Sequence, residues 1–196
     1  MKTVKLMLAA VLLFASVSFS QVKWNIDNSH SSIIFRVKHM VISEVSGYFK
    51  EFNGASESKK VDDFSDAKVN FTIKTASVTT DNEKRDEHLR SDDFFNAAKF
   101  PELKFVSKSF KKTAKGKYVL TGDLTMRDVT KEIKLDVVFN GNVNDPWGNT
   151  RAGFKLSGKL NRQDYGLKFN QALGTGEAVV GNEVKIEGNI ELVKAK

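Results

Sequence analysis

The chain has 196 residues, no cysteine and a formal net charge of +7. Without cysteine there is no disulfide, thiolate nucleophile, cysteine metal ligand or lipidated amino-terminal cysteine, so stability must come from a packed interior. The lysines are scattered, which makes a solvated surface the first reading, attraction to anionic membranes a weaker one, and nucleic acid the least suited partner.

Residues 1–20 have the make-up of a secretory signal peptide: Lys2 and Lys5, an apolar run from Leu6 to Ala15, then Ser18-Phe19-Ser20 as a small-x-small cleavage site. The run is short of the ~20 apolar residues that cross a bilayer, and no later stretch approaches that length. The expectation is cleavage and a non-spanning mature chain, residues 21–196, in the periplasm or secreted. It has 31 − 2 = 29 basic residues against 24 acidic ones and is of single-domain size.

From Trp24 onward the dominant signal is alternation with a period of two, which puts apolar residues on one face of a strand. Ile33, Phe35 and Val37 alternate with Arg36 and Lys38. Val69, Phe71 and Ile73 alternate with Lys68, Asn70 and Lys74. Asp81–Leu89 breaks the pattern with charges and helix formers, predicting a short helix capped by Thr80 or Asp81 with Glu83 or Lys84 in its first turn. It leads into Phe94, Phe95 and Phe100-Pro101, where proline forces an extended entry to the next strand and the three rings are expected to form a lid or plug.

The alternation resumes at Leu103 and Phe105, at Tyr118, Leu120 and Leu124, at Ile133, Leu135, Val137 and Phe139, and at Ala152, Phe154, Leu156 and Leu160. Turn signals sit at Lys115-Gly116-Lys117, Asn140-Gly141-Asn142 and Asp145-Pro146-Trp147-Gly148. Arg162 and Asp164 share strand parity and are expected to pair with each other. Gln163–Asn182 is weakly periodic, hence an irregular crossover or a mobile flap. The last strand sets Val184, Ile186, Gly188, Ile190 and Leu192 against Lys185, Glu187, Asn189 and Glu191.

These elements predict an all-β fold, an antiparallel barrel of about eight strands with a short helix after the third strand region. A mid-bilayer lysine costs ~2–4 kcal/mol, so the charged strand faces exclude a membrane barrel and the apolar face must look inward. Whether that interior is filled or hollow is left open by alternation alone. The 15 Phe, against 2 Trp and 3 Tyr, suit either an ordinary core or a dry tunnel, which in strands of ~10 residues would run about 30 Å.

His30, His39 and His88 are the residues a metal-assisted hydrolase or isomerase would use, but their spacing does not converge: His30 and His39 have opposite strand parity and His88 lies on the helix. No metal and no cofactor is expected. No Gly-x-Ser-x-Gly elbow, phosphate loop or HExxH segment is present. A turn at Asp27, Asn28 or Ser29 is expected to precede the first strand, with His30 and Ser31 bonded to its backbone.

Three blocks carry a family resemblance. The first is Trp24-x-Ile26-Asp27-x-x-His30-Ser31-x-Ile33-x-Phe35-x-Val37-x-His39, followed by Gly47-x-Phe49. The second and most specific is Arg85-x-x-His88-Leu89-Arg90-Ser91-x-Asp93-Phe94-Phe95 with Phe100-Pro101-x-Leu103-x-Phe105-x-Ser107. The third comprises Gly122-x-Leu124-Thr125-Met126, Val129-Thr130-Lys131, Asn161-Arg162-x-Asp164-Tyr165-Gly166-Leu167 and Gly181-Asn182-Glu183-Val184. From Trp24 to Leu192 the chain resembles the YceI-like family of bacterial periplasmic proteins. Asp128 stands where that family commonly has glycine, and Asn182 where it usually has aspartate.

The resemblance implies an extended lipocalin-like barrel and a non-enzymatic carrier of a long-chain isoprenoid or related lipid, with transient contact at a membrane surface. The alternative of a filled barrel acting as a stress-response interaction module has no specific support. Oligomeric state stays open, a homodimer included. Parity places Phe35, Val37, Phe71, Ile73, Phe94, Phe105, Leu120, Phe139, Phe154 and Leu156 in the lumen. His39, which shares the parity of Phe35, and the neighbours Arg85 and His88 are the candidates to meet a polar head, a phosphate or a quinone oxygen. The plainer reading of Arg85 and Arg90 is salt bridging to Asp86, Glu87, Asp92 and Asp93.

Overall fold

The computed structural model describes residues 21–174 and 176–196; the predicted signal peptide, residues 1–20, lies outside them. The strands are β1 (Val22–Ile26), β2 (Ser32–His39), β3 (Ser43–Phe49), β4 (Phe52–Ser58), β5 (Lys68–Lys74), β6 (Val78–Thr79), β7 (Glu102–Ala114), β8 (Lys117–Met126), β9 (Val129–Asn144), β10 (Thr150–Asn161) and β11 (Val180–Lys194). One helix, α1 (Glu83–Arg90), follows β6.

All pairings are antiparallel and the sheet closes on itself as a lipocalin-like barrel. β1 and β2 lie end to end along one edge of β11, β3 runs on into β4, and β5 into β6, so the eleven strands act as eight staves. The register sorts the connections into two ends. The mouth carries the β2–β3 turn, α1 with the segment to Pro101, the β8–β9 turn and the crossover residues 166–174 and 176–179. The base carries the loop 59–67, the β7–β8 and β9–β10 hairpins, the start of β1 and the end of β11.

Alternation did not reveal β3 and β4, because their inward positions include Gly47, Gly54, Ser56 and Ser58 in place of large apolar residues. The glycines have a packing reason. Gly47 is paired with Phe35 and Gly54 with Phe71. A Cβ on Gly54 would stand 2.5 Å from the Phe71 ring, and one on Gly47 would run into the Phe35 ring. Each ring therefore covers the bare backbone of the neighbouring strand, an aromatic-on-glycine pairing that lays it along the wall. Phe105 covers Gly122 in the same way, with a Cβ there 2.5 Å from Cζ.

Asn140-Gly141-Asn142 is not a turn. β9 continues through it to Asn144, and Asn140 is an extra residue between the pairs Phe154–Phe139 and Gly153–Gly141, a bulge eased by Gly141 at φ +117°. The helix cap is Asn82, whose side chain accepts from the Arg85 amide at 3.0 Å; Asp81, at φ +58°, turns the chain one residue before it. In the β8–β9 turn Arg127 and Asp128 have φ +51° and +60°, the paired left-handed conformation of a tight hairpin, so Asp128 keeps the turn that glycine serves elsewhere.

The outer face is charged. Arg36 pairs with Glu187, Lys74 with Glu102 at 2.6 Å, Lys108 with Asp123 at 2.7 Å, and Lys185 with Glu44 at 2.6 Å. Such a face is unsuited to hydrocarbon.

The seam where β1 hands over to β2 along β11 is locked by polar groups. Asp27 heads an Asx turn, accepting from the Ser29 amide at 2.9 Å and pairing with His30 at 3.0 Å, and Ser31 Oγ accepts from the Glu191 amide at 2.9 Å. Arg151 on β10 donates to Asp27 at 2.6 Å, Asp145 at 2.7 Å and Glu191 at 2.5 Å. The Arg151 guanidinium, helped by His30, holds the Asp27 carboxyl down at about 2, and Arg151 also holds Asp145 well below the usual carboxylate range. Both carboxyls are depressed, so their stabilisation is complete above their unfolded pKa of ~4 and is lost as pH falls from there toward 2. Arg151→Met is expected to lower the urea midpoint at neutral pH and to flatten its decline between pH 4 and 2; a parallel decline in both proteins would remove Arg151 from the acid response.

Candidate binding cavity

The inward faces of the staves do not meet. They enclose a cavity of about 420 Å³, far above the water-sized voids of a filled core and within the range of ligand sites. The barrel is hollow, not filled. Phe35, Val37, Phe71, Ile73, Phe94, Phe105, Leu120, Phe154 and Leu156 line it. Phe139 faces inward opposite Phe154 but does not line the cavity: it lies toward the base, 5.1 Å from Phe154 and 5.4 Å from Phe64.

Two lining or plugging residues escaped alternation. Phe110 lines the cavity and is buried although its parity is opposite to Phe105, because β7 slips register between Ser107 and Ser109. Phe64, fully buried, closes the base. It stands edge-on to Phe154 at 4.7 Å and 5.4 Å from Trp24, whose Nε1 donates to Ser58 Oγ at 2.9 Å. Its loop is pinned by the Asp66 amide donating to the Phe110 carbonyl at 2.8 Å. The surrounding Lys59, Lys60, Asp62, Asp63 and Asp66 make this stretch read as plain solvent loop. A lone aromatic among them was the available signal.

At the mouth, Phe94 and Phe95 are buried in the wall, while Phe100, expected beside them, lies outside with Lys99 and Arg127 over its ring. Leu167 and Phe169 of the crossover also line the cavity, and Phe169 is tied to the Asp93 carbonyl through its amide. The start of the crossover, Leu167 to Phe169, is thus part of the wall.

The ionisable groups lining the cavity are Lys38, His39, Arg85, His88 and Arg162, and all belong to the mouth end. Arg85 does not take the expected carboxylate: its Nε donates to Thr80 Oγ1 at 2.7 Å and Nη2 to the Thr80 carbonyl at 3.0 Å. Arg90 reaches only the Val78 carbonyl. The nearby acids are engaged elsewhere. Asp86 is buried and accepts from the hydroxyls of Thr79 and Thr80 and the Thr80 amide; burial works against its ionisation, but these bonds outweigh it and keep its carboxyl low. Asp92 pairs with Arg127 at 2.9 Å, and Asp93 with His88 Nε2 at 2.7 Å. The His88 ring stands edge-on between Phe94 and Phe169 at 5.0 and 4.8 Å.

The expected Arg162–Asp164 pair does not form. The chain leaves its strand after Asn161 and makes a 3-10 turn over Arg162–Tyr165, so strand parity does not apply; Asp164 turns out toward Lys131 and Arg162 turns in. Tyr165 in the same turn is fully buried, which pushes its hydroxyl up to about 12.

The three histidines do not converge. His39 and His88 line the mouth, whereas His30 lies on the outer seam with Asp27 and Glu191. That seam group has metal-like spacing, but Arg151 already donates to both carboxylates, so the cation there is a guanidinium.

Comparison with known proteins gives a consistent result. The family model for the YceI-like domain matches residues 24–192. A UPF0312 protein of Staphylococcus aureus strain MSSA476 is 41% identical over 166 residues, covering 84% of this chain and 94% of that protein. The Campylobacter jejuni YCEI protein superposes with a TM-score of 0.68 at 33% identity, covering 81% of this chain and 90% of the other. A polyisoprenoid binding domain from Saccharophagus degradans, implicated in plant cell wall breakdown, shares the fold with a TM-score of 0.62 at 13% identity, over 88% of this chain and 98% of that one.

Proposed function

The chain belongs to the YceI-like family, and from that premise we propose that it is an exported, non-enzymatic carrier that holds one long-chain lipid, an isoprenoid, inside the barrel. The observation that carries this reading is the apolar cavity of about 420 Å³, plugged at the base by Phe64 and bearing its ionisable groups at the mouth. A tail in that cavity is stabilised by ~25 cal/mol per Å² of apolar surface removed from water, and no chemistry is required of the wall. The polyisoprenoid bound by the Saccharophagus degradans domain favours an isoprenoid over other tails, since the two chains share one architecture. Residues 1–20 support export, and loading would take place in brief contact with a membrane surface.

The test is native mass spectrometry of protein exported by a bacterial host, followed by organic extraction. A co-purifying isoprenoid near one per chain is the expected result. Bare protein that also fails to take up added polyprenyl lipid would end the carrier reading.

A further inference from the structure

We propose that Phe64 is the length gauge of the lumen: the longest isoprenoid tail that the barrel takes in full is the one whose end reaches the Phe64 ring. The inference rests on the carrier reading and adds to it the residue that selects among tails.

The lumen stops at a floor that several staves share. Leu120 on β8, Phe154 on β10 and Ile26 on β1 line the cavity, whereas Tyr118, Ala152 and Trp24, each one inward position nearer the base on the same strand, do not. All three are buried, so the cavity ends there against packed side chains and not at an opening to solvent.

The side chain that makes the floor belongs to no stave. Phe64 comes from the loop 59–67, and its ring stands 5.4 Å from Trp24 on β1, 5.4 Å from Phe139 on β9 and 4.7 Å from Phe154 on β10. It is fully buried and yet lines the cavity, which makes it the boundary between the lumen and the packed base. The loop is held on both sides of the ring. Before it, the Ser58 hydroxyl donates to the Lys60 carbonyl at 2.7 Å and the Asn142 side chain donates to the Val61 carbonyl at 3.2 Å. After it, the Ala67 amide donates to the Phe64 carbonyl at 3.0 Å and the Asp66 amide to the Phe110 carbonyl at 2.8 Å. A ring anchored in this way is a fixed stop.

An apolar wall stabilises each added isoprene unit by a similar amount, so it favours longer tails without choosing among them. Choice begins where a unit no longer fits. A tail that has reached the ring must leave its next unit in water at the mouth or force apart side chains packed at crystal density. Because the stop is one loop side chain, its size can change without altering any strand pairing.

The experiment titrates prenyl alcohols, lengthened one isoprene unit at a time from geraniol upward, into the mature protein. Affinity is expected to rise at least about tenfold per unit up to a break, beyond which a further unit adds less than about twofold. Phe64→Ala vacates roughly the space of one isoprene unit and is expected to move the break one unit longer. Phe105→Leu, in the wall, is expected to weaken all lengths alike and leave the break in place. If Phe64→Ala does not fold, Phe64→Leu decides: the first alcohol beyond the break should then gain at least about threefold over its shorter neighbour. Affinity that climbs without a break, a break unmoved by the Phe64 variants, or one moved equally by Phe105→Leu overturns the gauge and leaves the carrier reading standing. Failure of every alcohol to bind the unaltered protein ends the carrier reading and the gauge with it.

Discussion

A Leu120→Asp variant is expected to lose uptake of a polyprenyl lipid by about a hundredfold, whereas Lys74→Ala keeps it. Leu120 is buried on β8 between Phe110 and Leu135 on the neighbouring strands, in the part of the cavity wall toward the base. A carboxylate there must lose its water when a tail fills the lumen. Burying such a polar group without a partner costs at least ~2–4 kcal/mol, and each 1.4 kcal/mol is a factor of ten in affinity. In the empty barrel the same carboxylate adjoins a cavity with room for water, so binding suffers more than folding. Lys74 faces outward to Glu102, in a surface pair worth at most ~1 kcal/mol of stability. Lipid titration of both variants checks this, and equal losses would overturn the assignment of inner and outer faces.

The largest loss of stability is expected from Trp24→Ala, about 3–5 kcal/mol by guanidinium denaturation. Trp24 is fully buried, packs on Phe64 and donates to Ser58. Its removal takes away the support of the base plug and joins the resulting void to the lumen, where the walls cannot collapse to fill it. Trp24→Phe should cost only ~1 kcal/mol, because Ser58 keeps its bond to the Lys60 carbonyl at 2.7 Å. A loss below 1 kcal/mol for Trp24→Ala would mean that the base contributes little to the core.

The barrel was legible where strand parity and residue size agree, as in Val184–Leu192, and the lumen followed from it for Phe35, Phe71, Leu120 and Phe154. It became illegible wherever a local event shifted the count. The register slip after Ser107 hid Phe110, the bulge at Asn140 looked like a turn, and the 3-10 turn at Arg162 replaced a strand. β3 and β4 were hidden for a different reason: their inward residues are small because large ones opposite need the room. The mouth was read in part. His39 by parity and Arg85 and His88 by spacing were picked out and do line it, but Arg162 was expected to pair with Asp164, since nothing in its neighbours marks a guanidinium turned inward without an acid.

The glycines covered by Phe35, Phe71 and Phe105 bear on how a barrel of this kind keeps its bore. Ring position is decided on the neighbouring strand, by residues that have no side chain to present to an occupant. One methyl group at Gly54 would lift Phe71 off the wall and into the passage. Calibre is thus recorded in pairs, a ring and the glycine it covers, and a comparison of lumens that counts only side chains would overlook half of each pair.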